Sequence, residues 1–179
     1  MQRSLSFRKL IVLGLAAFGS QAAIAEDNTS AYIVGAMTAF TTGYSFFKDD
    51  TAGLKEFGEA AFIDLSVTYL LKYAVKEKRP DGSNDRSFPS ANVSLAATNA
   101  TYMGYRNGWK WGLGMGAVTA LVGAERIHKD KSDLVDVLGG MAIGFLSAAI
   151  VTTNNNHLKL MPSYDAENNG YLLNFNYTF

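Results

Sequence analysis

The sequence predicts an all-α bundle of about five to six helices followed by a short C-terminal β-hairpin. Three observations carry that reading. Uncharged stretches rich in Gly and Ala recur at helical length, a long amphipathic stretch lies between the first two, and the final segment changes to an alternating period.

The N-terminus comes first. Arg3, Arg8 and Lys9 precede an apolar run from Leu10 to Phe18, and Ala23-Ile24-Ala25 stands before Glu26. This is the three-part build of a secretory signal, so residues 1–25 are expected to be cleaved. Residues 26–156 are then expected to form the helical domain and residues 157–179 the hairpin. An exported chain of this kind belongs in the periplasm or envelope membrane of a Gram-negative bacterium. With no cysteine anywhere, disulfides, a thiolate metal site, a cysteine nucleophile and lipoprotein processing are excluded. The 16 Lys and Arg residues balance 16 Asp and Glu, and loss of the leader's three cations leaves an acidic domain. Nucleic acid is not an expected partner.

Ala31 to Phe47, Trp111 to Ala124 and Val137 to Thr153 read as helices. Each falls short of the ~20 residues that cross a bilayer core comfortably, so buried bundle helices and marginal membrane segments both fit. Gly112 and Gly116, and Gly140 and Gly144, lie one turn apart, a spacing that lets helices approach closely. Leu54 to Lys78 reads as one long amphipathic helix with Phe57, Ala61, Leu65 and Val67 to Leu71 near one side. It turns basic and stops before Pro80. A further helix is predicted from Ser90, whose hydroxyl is a natural N-cap after Pro89, to about Tyr105. Trp109 and Trp111 are most simply bundle rim, although they also suit a membrane interface.

Tyr171, Leu173, Phe175, Tyr177 and Phe179 alternate with smaller or polar residues, the period of a strand. Leu158 to Tyr164 is its expected partner across the turn dipeptide Asn169-Gly170. Too little chain remains for the eight or so strands of a membrane barrel, so the hairpin is expected to pack on the bundle or touch a membrane surface.

The candidate chemistry is anionic. Lys72 and Arg79 are seven residues apart, which on a helix places them on one face roughly 10 Å apart along the axis. The helix start at Ser90 offers free N–H groups and a favourable dipole. Arg126 precedes another helix start near Asp130 to Ser132, with Asp136 one turn inside it. Three cations and two helix N-termini make an oxyanion cradle. Lys76, Lys78, Lys110 and Lys131 read as solvated charges.

The stretches KYAVKEKRP (Lys72 to Pro80), SFPSAN (Ser87 to Asn92) and ERIHKDKSDLVD (Glu125 to Asp136) resemble the three motifs of the type 2 phosphatidic acid phosphatase and haloperoxidase superfamily. That family's pattern is K-x6-R-P, then P-S-G-H, then S-R-x5-H-x3-D. The resemblance implies a metal-free helical phosphatase fold with no cofactor, in which Lys72, Arg79, Ser90 and Arg126 hold phosphate and Asp136 orients the nucleophile. It implies a phosphorylated lipid or small phosphomonoester as ligand.

Both motif histidines are replaced. Asn92 stands at the position of the general acid and Ser132 at that of the nucleophile, while Glu125 and Ala91 replace the usual serine and glycine. An amide cannot give up a proton near neutral pH, and a serine hydroxyl needs an adjacent base. His128, four residues before Ser132, is a possible substitute nucleophile on an early-starting helix, but its polar surroundings favour a solvent-exposed residue; His157 reads as a loop residue. Three functions stay open: a phosphate-binding protein without phosphohistidine catalysis, a phosphatase using a non-standard residue such as His128, and a structural envelope protein with a vestigial site.

Overall fold

The computed structural model describes residues 29–153, 158–165 and 170–177. The expected leader, His157 and Asn169 lie outside them. Five helices follow in order: α1 (Thr29–Phe47), α2 (Thr51–Val75), α3 (Ala91–Asn107), α4 (Trp109–His128) and α5 (Leu134–Val151). Two strands, β1 (Leu158–Asp165) and β2 (Gly170–Tyr177), then pair antiparallel, with Leu158 opposite Tyr177 and Asp165 opposite Gly170. The all-helical bundle and the hairpin agree with the sequence reading.

Local chemistry sets the helix ends. Asp50 caps α2 by accepting a 2.9 Å hydrogen bond from the Gly53 N–H, which satisfies one of the donors left over in the first turn. α2 stops at Lys76, which takes a left-handed conformation with φ 51°, so the helix ends before Pro80 is reached and short of the predicted Lys78. α3 and α4 are separated only by Gly108, whose φ of 117° a side chain would rarely adopt. α5 opens with a capping box in which Asp133 and Asp136 each accept from the other's backbone N–H.

The central element is α3, which packs against all four other helices. Its buried residues Val93, Ala96, Ala100, Tyr102 and Met103 meet Phe57, Met37, Met115, Val122 and Val137 in one core. The Phe57 and Tyr102 rings lie 5.0 Å apart, and full burial of Phe57 contributes about 1.5–3 kcal/mol. Small residues set the helix spacing as their turn-apart positions suggest, with one exception. A Cβ on Gly140 would lie 2.6 Å from the Ser90 carbonyl oxygen, and one on Gly144 would collide with the Ser94 carbonyl oxygen, so α5 lies directly on the backbone of α3. Gly112 meets Gly104 across the α3–α4 bend, whereas Gly116 faces open space.

The C-terminal half of α2 reverses the expected polarity. Its buried stripe runs Phe57, Ala60, Ala61, Asp64, Thr68 and Lys72, while Val67, Tyr69 and Leu70 are exposed. Spacing of three and four residues decides this: a face centred on Phe57 and Ala61 continues through residues 64, 68 and 72, not through 67 and 70. The buried polar groups are paired across helices. Ser94 donates to Asp64, Thr68 donates to Ser94 at 3.2 Å, and the Asn99 amide donates to Thr38 at 3.1 Å.

At the other end of the bundle, Arg106 in α3 bridges Asp50 at 2.7 Å and Glu56 at 3.3 Å. Glu56 in turn accepts from the Thr153 hydroxyl at 2.7 Å and so ties down the end of α5.

Candidate functional site

The three motif segments meet at the end of the bundle where α2 finishes and α3 and α5 begin. Lys72, in the last turn of α2, is buried and donates through Nζ to the carbonyl oxygens of Arg86 at 2.8 Å and Ser87 at 3.1 Å. Ser87 Oγ donates to Asp136 Oδ2, and the Ser90 N–H donates to the Asp136 carbonyl oxygen at 3.0 Å. One continuous chain of hydrogen bonds therefore runs from the first motif through the second to the third.

Arg79 is not on the helix, contrary to the expectation of a shared helical face with Lys72, because α2 has already ended at Lys76. It lies in the loop, where its N–H donates to the Asn84 carbonyl oxygen at 2.9 Å and its own carbonyl oxygen accepts from Gly82. The loop still returns it to the site: Arg79, Asp136 and Arg126 all lie within electrostatic range of the Lys72 ammonium. Arg126, in the last turn of α4, is only 6% exposed. Its carbonyl oxygen accepts from the N–H groups of Lys131 at 3.0 Å and Ser132 at 3.3 Å, which wraps the third-motif loop around the helix end.

A second connection holds that loop against the first motif. The Asp81 N–H donates to the Asp130 carbonyl oxygen, and the Lys131 ammonium pairs with Asp81 at 2.7 Å. Lys131 is thus an ion-paired clasp rather than the solvated charge its sequence context suggests. Lys76, Lys78 and Lys110 are exposed, as expected.

The two positions at which the motif resemblance expects histidine have separate fates. Asn92, in the first turn of α3, donates its amide to Ser30 Oγ at 3.0 Å and so joins α3 to α1. Ser132 is buried and its hydroxyl has no hydrogen-bond partner. The Ser90 hydroxyl is also buried and without a partner. Ser90 is the N-cap residue by position, but its side chain makes no capping bond, a correction to the sequence reading. Its carbonyl oxygen accepts from the Ser94 N–H instead. His128 is exposed at the end of α4, in line with its polar sequence context.

Three residues of the site were not singled out by sequence. Ser87 supplies both a carbonyl oxygen for Lys72 and a hydroxyl for Asp136. Glu77 and Asp133 place carboxylate oxygens within 4.8 Å of each other and of one from Asp136. Partial burial, then the charges of Asp136 and Asp133, raises the Glu77 carboxyl above its ordinary range. The available signals were a hydroxyl three residues before Ser90 and an acid inside an otherwise basic motif.

No protein-family model matches the chain, and no curated protein matches it. Among solved structures it is similar to Aquifex aeolicus LpxE, with 20% identity over 82% of this chain and 93% of that one and a TM-score of 0.54. The likeness is one of fold, that of a helical bundle.

Proposed function

We propose that this chain binds a phosphomonoester, foremost the phosphate group of a lipid, where its three motifs meet, and that it does so without phosphohistidine catalysis. The observation that carries the reading is the pair of buried, partnerless hydroxyls of Ser90 and Ser132 in a site that also holds buried Lys72 and Arg126. A buried polar group without a partner costs about 1–3 kcal/mol, and a bound oxyanion accepting from both hydroxyls would offset that cost. The cations and the open N-terminus of α3 favour the same charge. Lys72, Arg79, Ser90 and Arg126 are the ligand-holding residues of this proposal.

Catalysis by the family's route lacks both histidines. Asn92 is held by Ser30 and has no proton to give, and the Ser132 hydroxyl makes no hydrogen bond to a base. Asp136 is left without an imidazole to orient, and its Oδ2 serves Ser87 and the capping box.

The lipid element of the proposal rests on the outer surface. Phe62, Leu70, Leu113, Leu121 and Ile150 are each more than half exposed, and the outer face of α5 adds Leu134, Val135, Leu138 and Leu146. A surface this apolar is unusual for a chain surrounded by water. α5 spans 18 residues with a mean hydropathy of 2.1, and only 33% of it is buried within the bundle, so its length and composition suit a membrane crossing. Placement of the bundle in an envelope membrane, with the motif end at one surface, would cover these faces with lipid and bring the site to headgroup level.

The experiment is a vanadate titration of detergent-solubilised protein alongside turnover of phosphomonoesters, including a phosphorylated lipid. The proposal expects saturable vanadate binding and no turnover above background. Turnover at an ordinary enzymatic rate would overturn the non-catalytic part, and absence of binding would overturn the whole.

A further inference from the structure

Arg86 lies in the loop between α2 and α3, directly before Ser87, and its place there is fixed by its backbone. Its N–H donates to Asn84 Oδ1 at 3.0 Å, and its carbonyl oxygen accepts from Lys72 Nζ at 2.8 Å. The Arg86 side chain is therefore not what holds the loop.

That side chain is nonetheless held in one place. The guanidinium stacks on the ring of Tyr73, its central carbon 4.8 Å from the ring centroid, and Tyr73 follows Lys72 in the last turn of α2. Such a stack uses the flat face of the guanidinium and leaves the N–H groups, which point outward in its plane, available to an acceptor. Both residues are exposed, and among the described residues no carboxylate pairs with Arg86. A long side chain already ordered by stacking loses less freedom when it takes a ligand.

Charge connects this cation to the motif residues. Of the charged groups within electrostatic range of the Lys72 ammonium, Arg79, Arg126 and Arg86 are cations and only Asp136 is an anion. Lys72 and Arg126 are buried, whereas Arg86 is exposed. A phosphate held by the buried cations would thus sit in a positive field that extends outward to Arg86, where the next part of the ligand emerges.

We propose that Arg86, clamped on Tyr73, receives a second acidic group of the ligand, a phosphate or a carboxylate, beside the phosphate held at Lys72, Ser90 and Arg126. This rests on the phosphate-binding reading above and makes Arg86 the residue that selects ligands with two acidic groups over simple phosphomonoesters. The test is calorimetric titration of detergent-solubilised full-length protein, in chelator, with phosphate, pyrophosphate and phosphonoacetate. The parent should bind pyrophosphate or phosphonoacetate about tenfold more tightly than phosphate, the range of one charged hydrogen bond. A gain with pyrophosphate identifies the second group as a phosphate, and a gain with phosphonoacetate as a carboxylate. Arg86→Gln should lower affinity for the preferred anion by about tenfold and for phosphate by no more than about twofold, because an exposed charge acts weakly beyond its direct contact. Tyr73→Leu, which removes the stack and keeps the cation, should reduce the preference by less. A preference that survives Arg86→Gln, or an equal loss of all three anions in that variant, would overturn the role of Arg86. Phosphate binding by the parent without preference for either larger anion would overturn this inference alone. Absence of binding of all three would overturn the phosphate reading and this inference with it.

Discussion

The Ser90 N–H donates to the carbonyl oxygen of Asp136 at 3.0 Å, so the start of α3 is fastened to the first turn of α5. This bond brings the second and third motifs together, and it exists because Gly140 lets the two backbones touch. Gly140→Ala would place a methyl group 2.6 Å from the Ser90 carbonyl oxygen, a backbone atom that cannot move independently. Overpacking of this kind costs about 1–3 kcal/mol, and we expect lower thermal stability together with weaker vanadate binding. Gly116→Ala, which meets open space, should be neutral or slightly stabilising in the same denaturation experiment.

Lys72 holds the second-motif loop through the carbonyl oxygens of Arg86 and Ser87 and also supplies a buried positive charge. Lys72→Met keeps the length of the stem and removes both functions. Vanadate affinity should fall by about 1.5–3 kcal/mol, the range of a charged hydrogen bond, while the helical content seen by circular dichroism is retained. An unchanged affinity would place the anion elsewhere.

The Arg106 clasp makes a prediction about acid stability. Arg106 first, with the Gly53 N–H adding to it, holds the Asp50 carboxyl below its ordinary range against the opposing effect of partial burial. A carboxylate depressed in the folded state contributes stability that is fully present above its unfolded pKa, near 3.8, and is lost as pH falls through the lower folded value. The parent should therefore lose stability on acidification below about pH 4. Arg106→Met should flatten that part of the profile and lower stability at neutral pH, both readable from denaturation midpoints across pH.

Asn92→His combined with Ser132→His would place histidines at the two positions where the resembled motifs carry them, around a hydrogen-bonded frame that already joins the three segments. We expect measurable phosphatase activity from the double variant in chelator and none from either single variant. A folded double variant inert towards every phosphomonoester tried would argue that the surrounding residues are not arranged for transfer.

Much of this was legible from residues alone. The helix count and the C-terminal change of period followed from spacing and turn chemistry, whereas the expectation that the three motifs converge came from their resemblance to a known family. The polarity of α2 was not legible. Val67, Tyr69, Leu70 and Leu71 carry most of the apolar character of this stretch, so hydropathy pointed to them as the inner face, and the buried Asp64, Thr68 and Lys72 look like an outer face by composition. The left-handed turn at Lys76 was hidden because no glycine marks it. Ser90 followed the rule for cap residues in position but not in bonding, since its hydroxyl is left unpartnered. Glu77 was overlooked because one acid among the four cations of the first motif resembles a solvated charge until the loop brings it to Asp136.

The most direct measurement concerns Arg126, which is buried where the third-motif loop wraps the end of α4. Its guanidinium can offer a phosphate two parallel N–H donors, a geometry that a lysine ammonium cannot reproduce. Calorimetric titration of vanadate into the parent and into Arg126→Lys should show saturable binding by the parent and a loss of about 1.5–3 kcal/mol in the variant. Equal affinities, or no binding by either protein, would contradict the claim that the three motifs form a phosphate site.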